Sequence, residues 1–318
     1  MGRLLVSRAL PDAVMQRLNA AFDVTVRPTT QPMNRQEATA ALAGYDAVLP
    51  TLGDAFGAQT FEGVRNPSCR ILANFGVGYN HIDVEAARAR GIVVTNTPGA
   101  VTDATADIAM TLILMTARRA GEGERLARSG AWQGWHPTQM LGMHIGGKIL
   151  GIVGMGRIGR AIARRAHLGF DMDVVFFNRS PVADTGVPAR QLATLHEVMS
   201  VSDVVAVAVP GTAETHHMID AAALGAMKPQ ARLVNISRGD VVDETALITA
   251  LQSGQIAGAG LDVYENEPEI PDSLRRLENT VLLPHLGTNA EDVRSNMGMM
   301  ALENLRAFFR GEEPPNQV

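Results

Sequence analysis

Three polar residues each follow an apolar, strand-like run: Arg238 in "VNISRGDVVDE", Glu267 in "GLDVYENEPE" and His285 in "VLLPHLGT". Their types suit one reaction. Reducing a 2-oxo acid needs a cation for the carboxylate and a proton donor for the carbonyl oxygen as hydride arrives. The fork of Arg238 matches a carboxylate, and an imidazole such as His285 exchanges a proton near working pH. Glu267, paired with the imidazole, would favour its charged form and orient the ring. Singly, each has a plainer reading: a core histidine, an arginine bonding carbonyls, a solvated acidic loop. It is their shared position after strands of one α/β unit that points to chemistry, because the carboxyl ends of such strands face the ligand crevice.

A hydride needs a carrier, and "GIVGMGRIG" supplies a site for one. Gly154-x-Gly156-x-x-Gly159 follows the strand "KILGIV" and opens the helix "RIGRAIARRA". Gly154 permits the tight turn, Gly156 lets backbone approach a pyrophosphate, and Gly159 lets helix and strand pack closely. The helix start, with Met155, Arg157 and Ile158 in the turn, offers N–H groups and a positive dipole end to the anion. Alone the glycine pattern is weak; between a strand and a helix it is strong.

The next strand, Asp173–Phe177, ends in "NRS" where an acid would hold an adenosine ribose. Asn178 follows Gly159 by 19 residues, the spacing expected for that contact. An amide there removes the repulsion of a 2′-phosphate, Arg179 adds a planar cation and Ser180 a further donor. The expected cofactor is NADP(H), with NAD(H) as the less favoured alternative. The plainer reading of Arg179 is a solvated surface cation.

The elements that must hold these residues alternate along the chain. "RLLVS", a helix from Pro11-Asp12, "VTVRP", a helix through "RQEATAALAGY", "AVLP", "RILANFG" and "GIVVTN" form a first series. One long helix is predicted from about Val101 to Ser129. A second series runs through "KILGIVG", "DVVFF", "DVVAVAV", "ARLVNIS", "AGAGLDV" and "TVLLPH", and a last helix from Asn289 to about Arg310. Strand–helix–strand repetition means parallel strands joined by crossover helices. The expected fold class is α/β: two doubly wound parallel-sheet domains, the second inserted in the first.

Bulk properties agree. The 318 residues allow two cores, and 46% hydrophobic with 19% charged residues is an ordinary globular composition. A net charge of −5 without a Lys/Arg run argues against nucleic acid or an anionic membrane as partner. Cys69 is the sole cysteine, which excludes an intrachain disulfide. The N-terminal apolar run is too short for a signal peptide and "IAMTLILM" too short for a membrane span, so the cytoplasm is the expected compartment. No metal-ligand spacing is evident, and His144, His216 and His217 read as surface or loop residues.

The chain resembles the D-isomer-specific 2-hydroxyacid dehydrogenases over nearly its whole length. The resemblance rests on "NFGVGYNHID", "GIVGMGRIG", "MKPQARLVNISRGDVVDETAL", "GLDVYENEP" and "LLPHLGT", in the family's order. It implies a Rossmann cofactor domain at 100–287 inserted in a flavodoxin-like substrate domain at 1–99 and 288–318, with a cleft that closes on substrate. It also implies that Arg238, Glu267 and His285 are catalytic. Gly76, Val77 and Gly78 would hold the substrate carboxylate, and Leu52 would line the pocket. Cofactor contacts are implied at Thr105, Pro210, Thr215, Ile236, Asp262 and Gly287, with Asp262 at the nicotinamide carboxamide.

Within the family the glyoxylate/hydroxypyruvate reductases are most similar, sharing "NISRGDVVDE" and Trp132-x-x-Trp135-x-Pro137. Asn178 and Arg179 match NADP-using members, and Glu267 departs from formate dehydrogenases, which carry an amide there. No regulatory extension of the kind many phosphoglycerate dehydrogenases carry is expected. The resemblance implies reduction of a small 2-oxo acid, glyoxylate or hydroxypyruvate favoured, by a homodimer in which Trp135 is an interface residue. Its alternatives are another D-2-hydroxyacid or phosphite dehydrogenase, or a dinucleotide-sensing, corepressor-like binding protein.

Overall fold

A computed structural model describes residues 2–318. The chain divides into two compact units, Met1–Val101 with Asn289–Val318, and Thr102–Thr288. The second is an insertion in the first.

The first unit carries five strands: β1 (Arg3–Val6), β2 (Asp23–Val26), β3 (Ala47–Leu49), β4 (Ile71–Ala73) and β5 (Val93–Thr95). They form one sheet in the order β2-β1-β3-β4-β5, all parallel. Period-two alternation sorts its side chains into two cores. Leu4, Val6, Leu49 and Ile71 join one cluster, whereas Leu5, Val48 and Leu72 join the other. Burial on both faces is why these strands read as unbroken apolar runs. The C-terminal helix Glu291–Phe309, expected from its amphipathic pattern, lies on the first of these faces through Ala301, Leu302 and Leu305, a placement the pattern alone did not fix.

The second unit has seven strands: β6 (Ile149–Val153), β7 (Asp173–Phe177), β8 (Ala189–Gln191), β9 (Val204–Val207), β10 (Arg232–Asn235), β11 (Gly258–Leu261) and β12 (Thr280–Leu282). Their order is β12-β11-β10-β9-β6-β7-β8, parallel throughout. The order reverses between β6 and β9, and such a switch point is where open α/β sheets bind ligands. The glycine turn leaves β6 at this point. Here too Leu150, Ile152 and Val204 face one core and Val153, Val205 and Val207 the other.

The single helix predicted over 101–129 is two helices, Thr102–Ala117 and Ala120–Arg128. Arg119 between them is left-handed, at φ 53°. The cause is tertiary. Arg232 Nε donates to the Thr116 carbonyl at 3.2 Å, and Met143 N donates to that of Ala117 at 2.7 Å. These donors cap the last carbonyls of the first helix, where the main chain adds only a 3.4 Å turn bond from Arg119 N to Thr116 O. The short edge strand β8 was not predicted either. Among the described residues no helix is long and apolar enough to cross a membrane.

Candidate active site

Where β6 ends, Gly154 adopts φ +100°, a conformation side chains rarely take, and a Cβ there would lie 2.7 Å from the Ala208 carbonyl oxygen. A Cβ on Gly159 would come within 2.2 Å of Gly154 O, so the crossover Arg157–Phe170 can rest on the turn only with glycine at that place. At Gly156, by contrast, an added Cβ would meet nothing within 4 Å. That open side is the cradle a pyrophosphate requires. The helix after Gly156 has no side-chain cap. Its first-turn N–H groups are thus left for an anion. The residues present fit a dinucleotide.

Asn178, at the tip of β7, ties the next strand to this turn. Its Oδ1 accepts from Met155 N at 3.3 Å and its Nδ2 donates to Ser180 O at 2.9 Å. Gln191 on β8 completes the clamp: Nε2 donates to the carbonyls of Asn178 and Ser180 at 3.2 Å each, and Oε1 accepts from Val182 N at 3.1 Å. The backbone of 178–182 is thereby held while the side chains of Arg179 and Ser180 stay exposed. Arg157 is exposed as well, Ile158 half-buried, and Met155 and Ile236 lie in the core.

Arg238, Glu267 and His285 come together. His285 Nδ1 lies 2.8 Å from Glu267 Oε2, and Glu267 Oε1 accepts from Tyr264 N at 3.0 Å. Burial works to raise the Glu267 carboxyl, but the bond and charge of His285, the Tyr264 N–H and Arg238 outweigh it, so it sits below the usual glutamate value. Burial pulls the Arg238 guanidinium down, opposed by Glu267 and Asp240; an arginine remains charged under such a shift. Its Nη1 donates to Ser237 O at 2.7 Å. Its stem passes so close to Gly211 that a Cβ there would be 2.8 Å from Arg238 Cγ.

His285 is itself left-handed, at φ 55°, a conformation that a non-glycine residue keeps only where its surroundings impose it. Three expected cofactor contacts supply that constraint. Asp262, 1% exposed, accepts from Leu286 N at 2.6 Å and Gly287 N at 2.8 Å, while its carbonyl accepts from His285 N at 3.0 Å. Thr105 Oγ1 donates to Gly287 O at 3.1 Å. Thr105, Asp262 and Gly287 form one brace around the histidine. Burial raises the Asp262 carboxyl, against the pull of the two N–H groups and of His285. Thr215 also works within its own loop, donating to Pro210 O at 2.7 Å and accepting from Thr212 N at 2.9 Å.

In the other unit, the carbonyls of the Gly76–Gly78 loop are all engaged. Thr97 N and Asn74 Nδ2 donate to Gly76 O, Asn96 Nδ2 to Val77 O and Asn74 Nδ2 to Gly78 O, at 2.9–3.1 Å. Among the described residues, the N–H groups of Val77 and Gly78 find no acceptor. Leu52 is half-buried, and its carbonyl accepts from Arg8 Nη2. Asn74 and Asn96 escaped the sequence reading; only the place of Asn74, just before the glycines, could have drawn attention, since Asn96 follows β5 and is brought to the loop by the sheet. Trp135 is 79% exposed.

The architecture has close relatives. Residues 110–287 match the family model described as D-isomer specific 2-hydroxyacid dehydrogenase, NAD binding domain. A glyoxylate reductase from Thermococcus kodakarensis is 44% identical over 99% of this chain and 96% of its own. One from Pyrococcus furiosus is 44% identical over 99% and 95%. Among solved structures, an NADPH-dependent glyoxylate/hydroxypyruvate reductase from Sinorhizobium meliloti, in complex with NADP and malonate, superposes with a TM-score of 0.88 at 37% identity, over 99% of this chain and 96% of that one. With strand order, glycine turn and charged cluster all in place, and with similarity running from end to end, the chain belongs to the D-isomer-specific 2-hydroxyacid dehydrogenase family.

Proposed function

We propose that this enzyme reduces a small 2-oxo acid, with glyoxylate or hydroxypyruvate favoured, to the 2-hydroxy acid, and that NADPH is its preferred reductant. The observation that carries the reading is the His285–Glu267 hydrogen bond of 2.8 Å beside the Arg238 charge. The reduced nicotinamide, when bound, supplies the hydride to the carbonyl carbon. Because His285 Nδ1 faces Glu267, Nε2 is the ring atom left to give a proton to the carbonyl oxygen. Glu267, ionised, stabilises the imidazolium that gives it. Arg238 holds the substrate's anionic end and draws charge from the carbonyl, from a position its buried stem fixes. The Val77 and Gly78 N–H groups suit a carboxylate oxygen, and Leu52 is the proposed limit on side-chain size.

The preference for NADPH is supported by Asn178, which brings no negative charge, and by the exposed cation of Arg179 beside it. The Sinorhizobium meliloti relative, named as NADPH-dependent, carries the same inference. A homodimer is the proposed working form, supported by the exposure of Trp132 (56%) and Trp135 (79%). The decisive assay gives purified protein glyoxylate, hydroxypyruvate and pyruvate with each reduced nucleotide. The reading expects the highest kcat/KM with NADPH and one of the first two acids. No oxidation of either nucleotide by any 2-oxo acid would reject the activity, and a strong NADH preference would reject the cofactor assignment.

A further inference from the structure

His217 has no part in the scheme above, and its neighbourhood in the chain, "AETHHMID", carries no signal for one. In the fold it joins the two segments that bear the charged cluster. Its backbone is left-handed, at φ 49°, and its N–H donates to the Asp240 carbonyl at 2.7 Å, two residues beyond Arg238. The following residues continue the seam: Ile219 N donates to Val241 O and Asp243 N to Ile219 O, both at 3.0 Å, with Ile219 and Val242 paired as a parallel bridge. The side chain turns to the other segment. Its Nε2 is hydrogen-bonded to Glu265 Oε1, two residues before Glu267. Behind it the ring of His216 stacks at 4.0 Å.

The two segments also touch directly. A Cβ on Gly239 would fall 1.8 Å from the Tyr264 carbonyl carbon, so the turn after Arg238 is pressed onto the backbone before Glu267. Pairing of β10 with β11 sets the register as far as Asn235 and Asp262, and the contact limits how near the segments come beyond it. Past the strand ends the His217–Glu265 bond, anchored by main chain on one side and side chain on the other, ties the two segments together.

We propose that His217 and Glu265 are positioning residues, which fix the spacing and register of Arg238 relative to the Glu267–His285 pair. Neither touches a reacting atom. The proposal rests on the reading of that cluster as the reacting one. Its consequence is kinetic, since a misplacement of about 1 Å around a reacting centre can cost on the order of 10²-fold in rate.

The test compares His217→Leu, His217→Gln, Glu265→Leu and the double variant His217→Leu/Glu265→Leu, with glyoxylate and NADPH in steady state and NADPH binding by fluorescence. His217→Leu should lower kcat roughly 10- to 100-fold while the NADPH dissociation constant stays within about twofold. His217→Gln, which keeps a donor near the Nε2 position, should recover most of the loss. The double variant should be no slower than the worse single one, because both remove the same bond. Wild-type turnover in His217→Leu, a loss that glutamine does not rescue, or additive losses in the double variant would each overturn the proposal. Should His217→Leu not fold, Glu265→Leu against Glu265→Gln makes the same comparison from the other partner. His285→Ala, run in parallel, separates the two levels: full turnover there would refute the cluster reading itself.

Discussion

The charged cluster and the turn after β7 lie in the same unit and are built in opposite ways. At Arg238, Glu267 and His285 the charged groups themselves are fixed: each carboxylate oxygen of Glu267 has a partner, and His285 is wedged into a left-handed turn by Asp262. At 178–182 only the backbone is fixed, by Asn178 and Gln191, and Arg179 is left exposed. On the proposed function, the difference follows from what each would have to do. A proton and a hydride move over a fraction of an ångström, so the groups assisting them have to be placed in advance. The proposed 2′-phosphate can be met by a long, exposed cation, for which approach matters more than placement.

Substitutions that break this contrast should differ in size and in kind. The largest loss is expected at a fixed charge: Arg238→Ala should lower kcat/KM for the 2-oxo acid on the order of 10²–10³-fold, as removal of a buried charge partner does, with NADPH binding nearly unchanged. Glu267→Gln should slow kcat by about tenfold or more at neutral pH. It should also alter the acid response. Glu267 is held below its usual 4.5, so its carboxylate adds stability above the unfolded value and that stability is lost as pH falls through the folded one. The thermal midpoint of the wild type should therefore drop more steeply between about pH 5 and about pH 3 than that of Glu267→Gln.

At the exposed charge the effect should be smaller and confined to one nucleotide. Arg179→Ala should raise KM for NADPH about tenfold, the size of one charged hydrogen bond, and leave KM for NADH and both kcat values alone. Gln191→Leu loosens the backbone without touching the cation, so a loss of only about threefold in NADPH efficiency is expected, again with NADH unchanged. If Arg179→Ala instead depressed kcat with both nucleotides, the contrast between placed and exposed charge would fail.

Much of this arrangement was legible from residue order. The glycine turn announced itself because Gly154 and Gly159 answer local demands, a positive φ and a helix lying on its own strand. Arg238, Glu267 and His285 were legible as groups at strand ends, and so was the alternation that sorts Leu4 and Leu5 to opposite faces of β1. What escaped was tertiary. The break after Ala117 is not marked in "MTARRAGEGERL", whose two glycines lie beyond it; there Arg232 and Met143 take the last carbonyls of the first helix. Thr105, Asp262 and Gly287 lie far apart in the chain and look like separate contacts until the fold joins them. His217 was passed over for the same reason, since both its partners, Asp240 and Glu265, are brought by the sheet.

The measurement that bears most directly on the central claim is NADPH oxidation by glyoxylate in His285→Ala, alongside NADPH binding to the same protein. A fall in kcat on the order of 10²–10⁴-fold, with the nucleotide dissociation constant unchanged, is the predicted result. Turnover at the wild-type rate would mean that the carbonyl oxygen takes its proton from another group, and would contradict the assignment of His285.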